Sequence, residues 1–135
     1  MTAFRPFQRK VLLPLLAVLL VCFPGALRAQ RVQDLPAKPA DYVSDFAQVL
    51  SPETVARIDS ICSQLDHSAA NAQIAVVTVH TLAGEDAAEY SDELETKWKM
   101  GRKGSDRGVL ILLAINDHQR RIEVGYGLEG ILNDA

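Results

Sequence analysis

The sequence predicts a small α/β domain: a three-layer sandwich with a central mixed sheet between helices. Two observations support this prediction. Residues 73–115 have the pattern of a strand, a helix and a second strand, which is the crossover unit that joins parallel strands. Residues 109–126 have the pattern of an apolar strand, a polar turn and an alternating strand, which indicates an antiparallel hairpin. The sheet should therefore contain both parallel and antiparallel pairs.

The first 29 residues have the pattern of a secretory signal peptide. Basic residues precede a short apolar run at residues 11–23, and small residues follow it up to Ala29. A helix needs roughly 20 apolar residues to cross a bilayer core of about 30 Å, so this run is short for a membrane span. We expect cleavage after Ala29 and export of the mature chain to the periplasm or the extracellular space. A retained membrane anchor is the alternative.

The composition excludes several classes of function. Removal of residues 1–29 takes away four of the 14 basic residues and none of the 17 acidic ones, so the mature chain carries a formal charge of −7. Nucleic-acid binding depends on basic patches, so this chain is better suited to cations. Cys62 is the single cysteine after residue 29, which excludes an intrachain disulfide and a cysteine-based metal site. We expect Cys62 to be a small core residue.

The first elements of the mature chain are a linker and a helix. Residues 30–40 contain two prolines and predict a linker, which leaves residues 41–135 for the domain. Ser51 is a hydroxyl N-cap, Pro52 stands at the first helical position and Glu53 adds an acid to the first turn, so a helix should begin there. Apolar residues then recur at helical spacing to about residue 67.

The remaining elements alternate between strand and helix patterns. Residues 73–81 are β-branched and nearly all apolar, which predicts a central strand, and residues 85–98 are amphipathic with helical spacing. Residues 109–115 form an unbroken apolar strand, 116–119 a turn and 120–126 an alternating strand. Residues 133–135 resemble the start of another helix, so we expect the domain to be incomplete at its C-terminus.

The glycines at the end of the hairpin match a nucleotide-binding pattern only by letter. Residues 125–130 read G-x-G-x-x-G. In a dinucleotide-binding loop this segment closes the first strand-to-helix turn of a parallel unit, and an acid follows about 20 residues later. Here it follows a hairpin arm and the chain has five more residues. We therefore expect no nucleotide.

Acidic residues at the open end of the hairpin form the first candidate site. If the turn is 116–119, Ile115 faces Arg120, and the same register brings Asp106 opposite Glu129, with Asp134 a short segment beyond. Carboxylate oxygens and glycine-rich backbone are ligands that hard divalent cations prefer. Solvated acids paired with nearby arginines and lysines are the alternative.

A rival site lies at the opposite edge of the predicted sheet. In open α/β sheets, ligands favour the carboxyl ends of parallel strands. In this sequence that edge carries His80, Asp117 and His118.

Three segments resemble the TPM domain family, a group of exported or membrane-linked α/β domains. They are VSDFAQVLSPE at residues 43–53, GRKGSDRG at 101–108 and RGVLILLAINDHQRRIEVGYGLEG at 107–130. The resemblance implies binding of a divalent cation, Ca²⁺ or Mg²⁺, and it points to Asp45 in V-x-D-x-A and Asp106 in G-x-x-G-x-D-x-G. The expected metal ligands are therefore Asp45, Asp106, Glu129 and Asp134.

Two functions of different classes follow from the resemblance. The first is a non-enzymatic, cation-binding module at the cell envelope that supports a membrane protein complex. The second is a metal-assisted phosphatase, in which the cation polarises a phosphoryl oxygen. We favour the first, because the sequence does not identify a nucleophile with an adjacent general base.

Overall fold

The computed structural model of the protein describes residues 30–101 and 103–132, and in them a four-stranded sheet lies between two helices. The strand order across the sheet is β1-β2-β3-β4, with the first three strands parallel and the last antiparallel to its neighbour. This arrangement confirms the predicted α/β fold with a central mixed sheet. The strands are β1 (Val43–Asp45), β2 (Gln73–Val79), β3 (Gly108–Ala114) and β4 (Gln119–Val124).

Both helices begin at polar caps. Helix α1 (Pro52–Asp66) starts as predicted after Ser51, whose hydroxyl accepts a hydrogen bond from the backbone N–H of Thr54 at 3.2 Å. Helix α2 (Ala87–Trp98) starts two residues later than the pattern predicts, because the carboxylate of Asp86 caps it. Capping side chains satisfy N–H groups that have no partner inside the helix, and so they fix where a helix begins.

The two helices cover opposite faces of the sheet. Helix α2 packs on the face formed by alternate residues of β2 and β3, which builds the main core. Helix α1 covers β1 and β2 on the other face, and the buried side chain of Cys62 packs there against Val43 and Val76, as expected for a core cysteine. Near β4 this second face is less completely covered. Ile122 and Val124 are only half-buried there, beside the buried Leu128.

Strand β1 is an element that the sequence pattern did not predict. Its three residues lie parallel to β2, with Val43 level with Val76 and Asp45 level with Thr78. A strand of three residues is too short to show an alternating pattern, and parallel pairing depends on residues distant in the chain. The described sheet therefore has four strands where the sequence indicated three.

The hairpin register differs by two residues from the prediction. The turn occupies residues 115–118, and Leu113 pairs with Arg120 where the sequence predicted Ile115. His118 adopts a left-handed backbone (φ 52°), so the return strand starts at Gln119. A shift of two residues leaves every side chain on its expected face. The return strand also ends at Val124, two residues earlier than predicted. Tyr126 lies instead in a 3₁₀ turn (Tyr126–Leu128), where it is 82% exposed.

The segment expected to be a linker lies against α2. A 3₁₀ turn (Val32–Asp34) places Val32 and Leu35 in the main core. The Lys97 ammonium donates to the carbonyls of Val32 (2.8 Å), Gln33 (3.0 Å) and Leu35 (2.6 Å). Residues 30–36 thus belong to the packed domain, because tertiary contacts outweigh the extended tendency of a proline-containing segment.

Two aromatic side chains extend this contact. The indole N–H of Trp98 donates to the carbonyl of Pro36 at 2.9 Å, and the hydroxyl of Tyr90 donates to the carbonyl of Gln30 at 2.7 Å. Burial, with smaller contributions from nearby carboxylates, raises the pKa of Tyr90 far above its ordinary value. The hydroxyl therefore stays protonated and remains a donor.

Candidate cation site

A cleft of about 290 Å³ opens at the amino-terminal end of β3. One wall is the last turn of α2 with the residues after it, and the other is formed by the start of β3 and the end of the hairpin. Two acidic residues, Glu95 and Asp106, line this cleft together with glycine backbone. The lining residues are Glu95, Met100, Gly101, Asp106, Gly108, Gly125 and Tyr126.

The glycines of the hairpin end are required by close backbone packing. A Cβ atom on Gly125 would lie 2.1 Å from the carbonyl oxygen of Asp106, and one on Gly127 would lie 2.0 Å from the carbonyl oxygen of Ser105. Real Cβ atoms do not approach oxygen so closely. The glycines at 125 and 127 in the G-x-G-x-x-G pattern are therefore explained by the contact between residues 105–108 and residues 125–127.

Asp106 stands at the centre of this contact. It has a left-handed backbone (φ 47°), and its carbonyl accepts a hydrogen bond from the N–H of Gly127 at 3.0 Å, while the residue as a whole is exposed. Its backbone is thus fixed by the hairpin, and its side chain is free of the core. Glu95, near the end of α2, lines the same cleft. Glu95 belongs to the amphipathic segment 85–98 and was not predicted as a site residue, although its position next to the core residue Leu94 was the available signal.

The other two acids predicted at this edge are Glu129, which the structure describes, and Asp134, which it does not. Glu129 is exposed and directly follows the 3₁₀ turn, but the observed register brings Gly127, not Glu129, opposite Asp106. The expected direct pairing of Asp106 with Glu129 is therefore wrong by two residues, because the hairpin turn is closer to β3 than predicted. Asp134 lies outside the described residues.

Asp45 lies at the opposite edge of the sheet from Asp106. It ends β1 level with Thr78, which is level with Leu113, and Asp106 precedes Leu113 by seven positions. At roughly 3.3 Å per residue the two aspartates are about 23 Å apart along the strands. Parallel pairing of β1 with β2 causes this separation, so the expected grouping of Asp45 with Asp106 is incorrect.

The carboxylate of Asp45 instead organises the loop that leads into α1. It accepts hydrogen bonds from the Thr78 hydroxyl and from the backbone N–H groups of Leu50 (2.9 Å) and Val49 (3.2 Å). Burial raises the pKa of this carboxyl, but the hydrogen bonds from Thr78 and the loop outweigh that effect and hold the pKa below its ordinary value. Asp45 is therefore an ionised, well-satisfied structural residue.

The rival edge contains a second structural aspartate. The Asp117 carboxylate accepts hydrogen bonds from the Thr81 hydroxyl at 3.0 Å and from the N–H of Leu82 at 2.6 Å, which ties the hairpin turn to the end of β2. His80 is half-buried and donates its backbone N–H to the Gln30 side chain at 3.1 Å, and His118 is exposed. These contacts give the edge a structural role in holding turns.

A second, smaller cleft lies beside the first at the same amino-terminal edge. It has a volume of about 230 Å³ and includes Asp41, Tyr42 and Asp66, and it shares Met100 with the first cleft. The Tyr42 hydroxyl donates to the Asp66 carboxylate at 2.9 Å, and this hydrogen bond is the main reason that the pKa of Tyr42 is raised. The amino-terminal edge is consequently rich in carboxylates.

The described residues limit what kind of metal site is possible. Within 30–101 and 103–132, no group of three or more histidine, cysteine, aspartate or glutamate side chains is arranged to hold a metal ion. The larger cleft offers two carboxylates, so backbone carbonyls and water would complete the shell of a bound ion. Across the same residues no helix combines the length and apolarity that a membrane span requires.

The fold and its clefts define a small mixed α/β domain with an acidic amino-terminal edge. The sequence model of the TPM domain matches residues 43–135, and the chain belongs to this family. This match confirms the resemblance found in the sequence. No curated protein sequence matches the chain.

Two solved structures share the fold. One is the solution NMR structure of the N-terminal domain of a protein from P. gingivalis, with a TM-score of 0.71 and 26% identity, covering 79% of this chain and 70% of that chain. The other is the solution NMR structure of the N-terminal domain of a Corynebacterium glutamicum protein, with a TM-score of 0.56 and 19% identity, covering 70% of this chain and 60% of that chain. The second likeness shows the fold alone.

Proposed function

We propose that this TPM domain is an exported, divalent-cation-binding module that acts at the cell envelope in support of a membrane protein complex. The observation that carries the cation proposal is that Asp106 and Glu95 line one cleft together with three glycines. Carboxylates held near each other repel, and a divalent cation between them relieves that repulsion.

The chemistry of the cleft favours Ca²⁺ over Mg²⁺. Ca²⁺ accepts six to eight oxygen ligands in irregular geometry, including backbone carbonyls and water, whereas Mg²⁺ demands a near-ideal octahedron. A site with two carboxylates on an open cleft is expected to bind weakly. Extracellular calcium modules have dissociation constants of roughly 10⁻⁴ to 10⁻³ M, so weak binding is suited to an exported domain.

The expected export and the charge of the chain agree with this proposal. The signal-peptide pattern of residues 1–29 directs the domain out of the cytoplasm, and the remaining chain carries a formal charge of −7. A cation bound at the acidic edge would lower the local repulsion and leave a surface that a membrane protein partner can approach. The partner itself is a proposal from the family resemblance.

Thermal melting with added Ca²⁺ or Mg²⁺ tests the cation site. At a free ion concentration of 100 times the dissociation constant, binding to the folded form alone stabilises it by about 2.7 kcal/mol, and the melting temperature should rise accordingly. Asp106→Asn and Glu95→Gln should each reduce that rise. Asparagine tolerates the left-handed backbone of residue 106, so the first variant removes the charge without altering the loop.

Matched controls separate the cleft from general charge effects. Glu89→Gln removes the same charge from an exposed position of the same helix, and Asp117→Asn removes one from the opposite edge. Both should leave the cation response unchanged, although Asp117→Asn should lower the baseline stability. A cation response that disappears in Asp117→Asn and persists in Asp106→Asn would reject the proposed cleft.

A metal-assisted phosphatase is the second candidate, because the matching family model carries the name TPM phosphatase. Hydrolysis of an aryl phosphate by the Ca²⁺- or Mg²⁺-loaded protein separates the two functions. Turnover that requires the cation and is lost in Asp106→Asn would establish the enzyme. Cation-dependent stabilisation without turnover supports the binding module.

A further inference from the structure

We propose that the cleft at the amino-terminal end of β3 binds an arginine side chain of a partner protein. Tyr126 and Asp106 hold its guanidinium group, and the apolar residues that follow Tyr126 contact the neighbouring side chains of the partner. The inference rests on the proposed function for the kind of partner, a membrane protein at the cell envelope, and it names the chemical group by which that partner is recognised.

Tyr126 is a large aromatic side chain that the fold holds in solvent. It lines the cleft together with Asp106 and is 82% exposed. On one side of it, the N–H of Gly125 donates to the carbonyl of Gly108 at 2.8 Å. On the other side, the N–H of Gly127 donates to the carbonyl of Asp106 at 3.0 Å. The backbone of Tyr126 therefore stays in place, and a tyrosine side chain loses little conformational entropy when it binds a partner.

The charge around Tyr126 is negative. Asp106 and Glu129 are both exposed, and the N–H of Glu129 donates to the carbonyl of Tyr126 at 3.4 Å within one turn. Within residues 30–101 and 103–132, the structure describes no hydrogen bond or ion pair of either carboxylate. Lys103 and Arg107 belong to the same loop as Asp106 but are not among the residues that line the cleft. Such a site attracts a cationic group.

An arginine side chain is the cation that matches both groups. Its planar guanidinium stacks on aromatic rings and donates two parallel hydrogen bonds to a carboxylate, so one side chain can contact Tyr126 and Asp106 together. A lysine ammonium is a compact and more strongly hydrated charge. The cleft has a volume of about 290 Å³, which suits one side chain of a partner better than a larger ligand.

The segment after Tyr126 adds an apolar surface. Six large hydrophobic side chains are exposed in the part of the chain that the structure describes, and three of them lie in this segment: Tyr126, Ile131 and Leu132. The N–H groups of Ile131 and Leu132 donate to the carbonyl of the buried Leu128 at 2.8 and 2.9 Å, which anchors the segment to the domain. Exposed apolar residues that are concentrated in one place mark interaction sites. A partner segment with an apolar residue next to its arginine fits this surface.

Arginine and a divalent cation use the same carboxylate. Asp106 is a ligand of the proposed cation site, so Ca²⁺ and the arginine of the partner should compete for it. The partner should therefore bind most tightly where free Ca²⁺ is low, and millimolar Ca²⁺ should release it.

An NMR titration tests the proposal on the purified protein, in the form that the host cells produce. The probe is a capped leucine–arginine dipeptide. It should shift the amide resonances of residues 106 and 125–132 with a dissociation constant of roughly 1–10 mM, the range expected for a single anchor. A citrulline version of the dipeptide keeps the shape of the side chain without its charge, and it should cause no shift at the same concentrations. A lysine version should bind more weakly.

Two variants at residue 126 separate the aromatic ring from its apolar contact. Tyr126→Leu keeps an apolar side chain without a ring and should weaken binding by about two- to fivefold, whereas Tyr126→Phe should bind like the wild type. Asp106→Asn should weaken binding by a similar factor. Asp92→Asn, at an exposed position of α2, and Val49→Ser, at an exposed apolar position before α1, are the matched controls and should have no effect.

The arginine site and the cation site can fail separately. Reversal of the arginine-induced shifts by millimolar Ca²⁺ supports both. If Ca²⁺ changes neither the melting temperature nor the shifts, the arginine site stands and the cation site is rejected. A wild-type protein that shows no shift with about 20 mM arginine dipeptide overturns the inference, even where Ca²⁺ still raises the melting temperature.

Two further results overturn the inference. One is equal binding of the arginine dipeptide by Tyr126→Leu and the wild type. The other is sedimentation of the protein with phosphatidylglycerol vesicles that is lost in Tyr126→Leu, because the exposed residues would then serve a lipid surface.

Discussion

The hydroxyl of Thr78 on β2 donates a hydrogen bond to the carboxylate of Asp45, the last residue of β1. The same carboxylate accepts the backbone N–H groups of Val49 and Leu50, so one ionised side chain connects the edge strand to the loop before α1. The N–H of Ala47 in turn donates to the Thr78 oxygen at 3.2 Å. The aspartate of the V-x-D-x-A segment is thereby explained by structure, independently of any ligand.

Asp45→Ala should destabilise the protein by about 1–3 kcal/mol, because it leaves charge-assisted hydrogen-bond donors without their acceptor. The loss should depend on pH. The fold holds the pKa of Asp45 below its ordinary value of 3.8, so its contribution is complete above that pH and disappears as pH falls through the folded-state pKa. Chemical denaturation of both proteins between neutral pH and pH 3 should show curves that converge at the acid end. A constant difference across that range would show that ionisation of Asp45 is irrelevant.

Gly125→Ala should destabilise the protein by about 1–3 kcal/mol through steric overlap alone. Gly125 has an ordinary backbone (φ −64°), but its new Cβ would lie 2.1 Å from the Asp106 carbonyl and 3.1 Å from the N–H nitrogen of Gly108. Gly130→Ala is the matched control, since a Cβ there meets nothing within 4 Å, and its effect should stay within about 0.5 kcal/mol. Equal melting temperatures for the two variants would contradict the packing of the hairpin end.

Lys97→Met should release residues 30–36 from α2. The ammonium of Lys97 donates to three backbone carbonyls, and methionine keeps the apolar length of the side chain without any donor. Trypsin should then cleave after Arg31 faster than in the wild type, as followed by mass spectrometry at short times. Lys103→Met, at an exposed loop position, removes an equal charge and should not change these rates. Unchanged cleavage in Lys97→Met would mean that the aromatic contacts suffice.

Processing of the first 29 residues is a further prediction. N-terminal sequencing of protein recovered from the envelope or the medium should begin at or near Gln30, because small residues precede that position after the apolar run. An exported protein that still starts at Met1 would support a retained anchor instead.

The sequence predicts the helices and the central strands well because their signals are local. Ser51 and Pro52 mark the start of α1, and the apolar run of β3 needs no partner to be recognised. The short strand β1 has no such signal, since three residues acquire their role only by pairing with β2. The hairpin register depended on His118 adopting a left-handed backbone, a conformation that glycine or asparagine would have signalled more clearly.

The candidate site was predicted in part for the same reason. Asp106 was identified from the glycines around it, and these glycines do mark the close backbone contact that builds the cleft. Glu95 was missed because its place in the same cleft as Asp106 depends on how α2 packs over β3, which no local pattern encodes. Asp45 was grouped with Asp106 on the family pattern alone, and its position at the other edge follows from the parallel pairing of β1 with β2.

The contacts of Gln30 set an order of events for the predicted export. If cleavage follows Ala29, Gln30 becomes the first residue. Its carbonyl accepts a hydrogen bond from the Tyr90 hydroxyl, and its side chain accepts one from the backbone N–H of His80. A peptidase needs an extended chain on both sides of the bond it cuts. Once the domain folds, these contacts hold Gln30 against it, so the residue after the bond is no longer accessible. Leader removal and folding therefore compete for the same few residues, and maturation should proceed most readily while the chain is still unfolded.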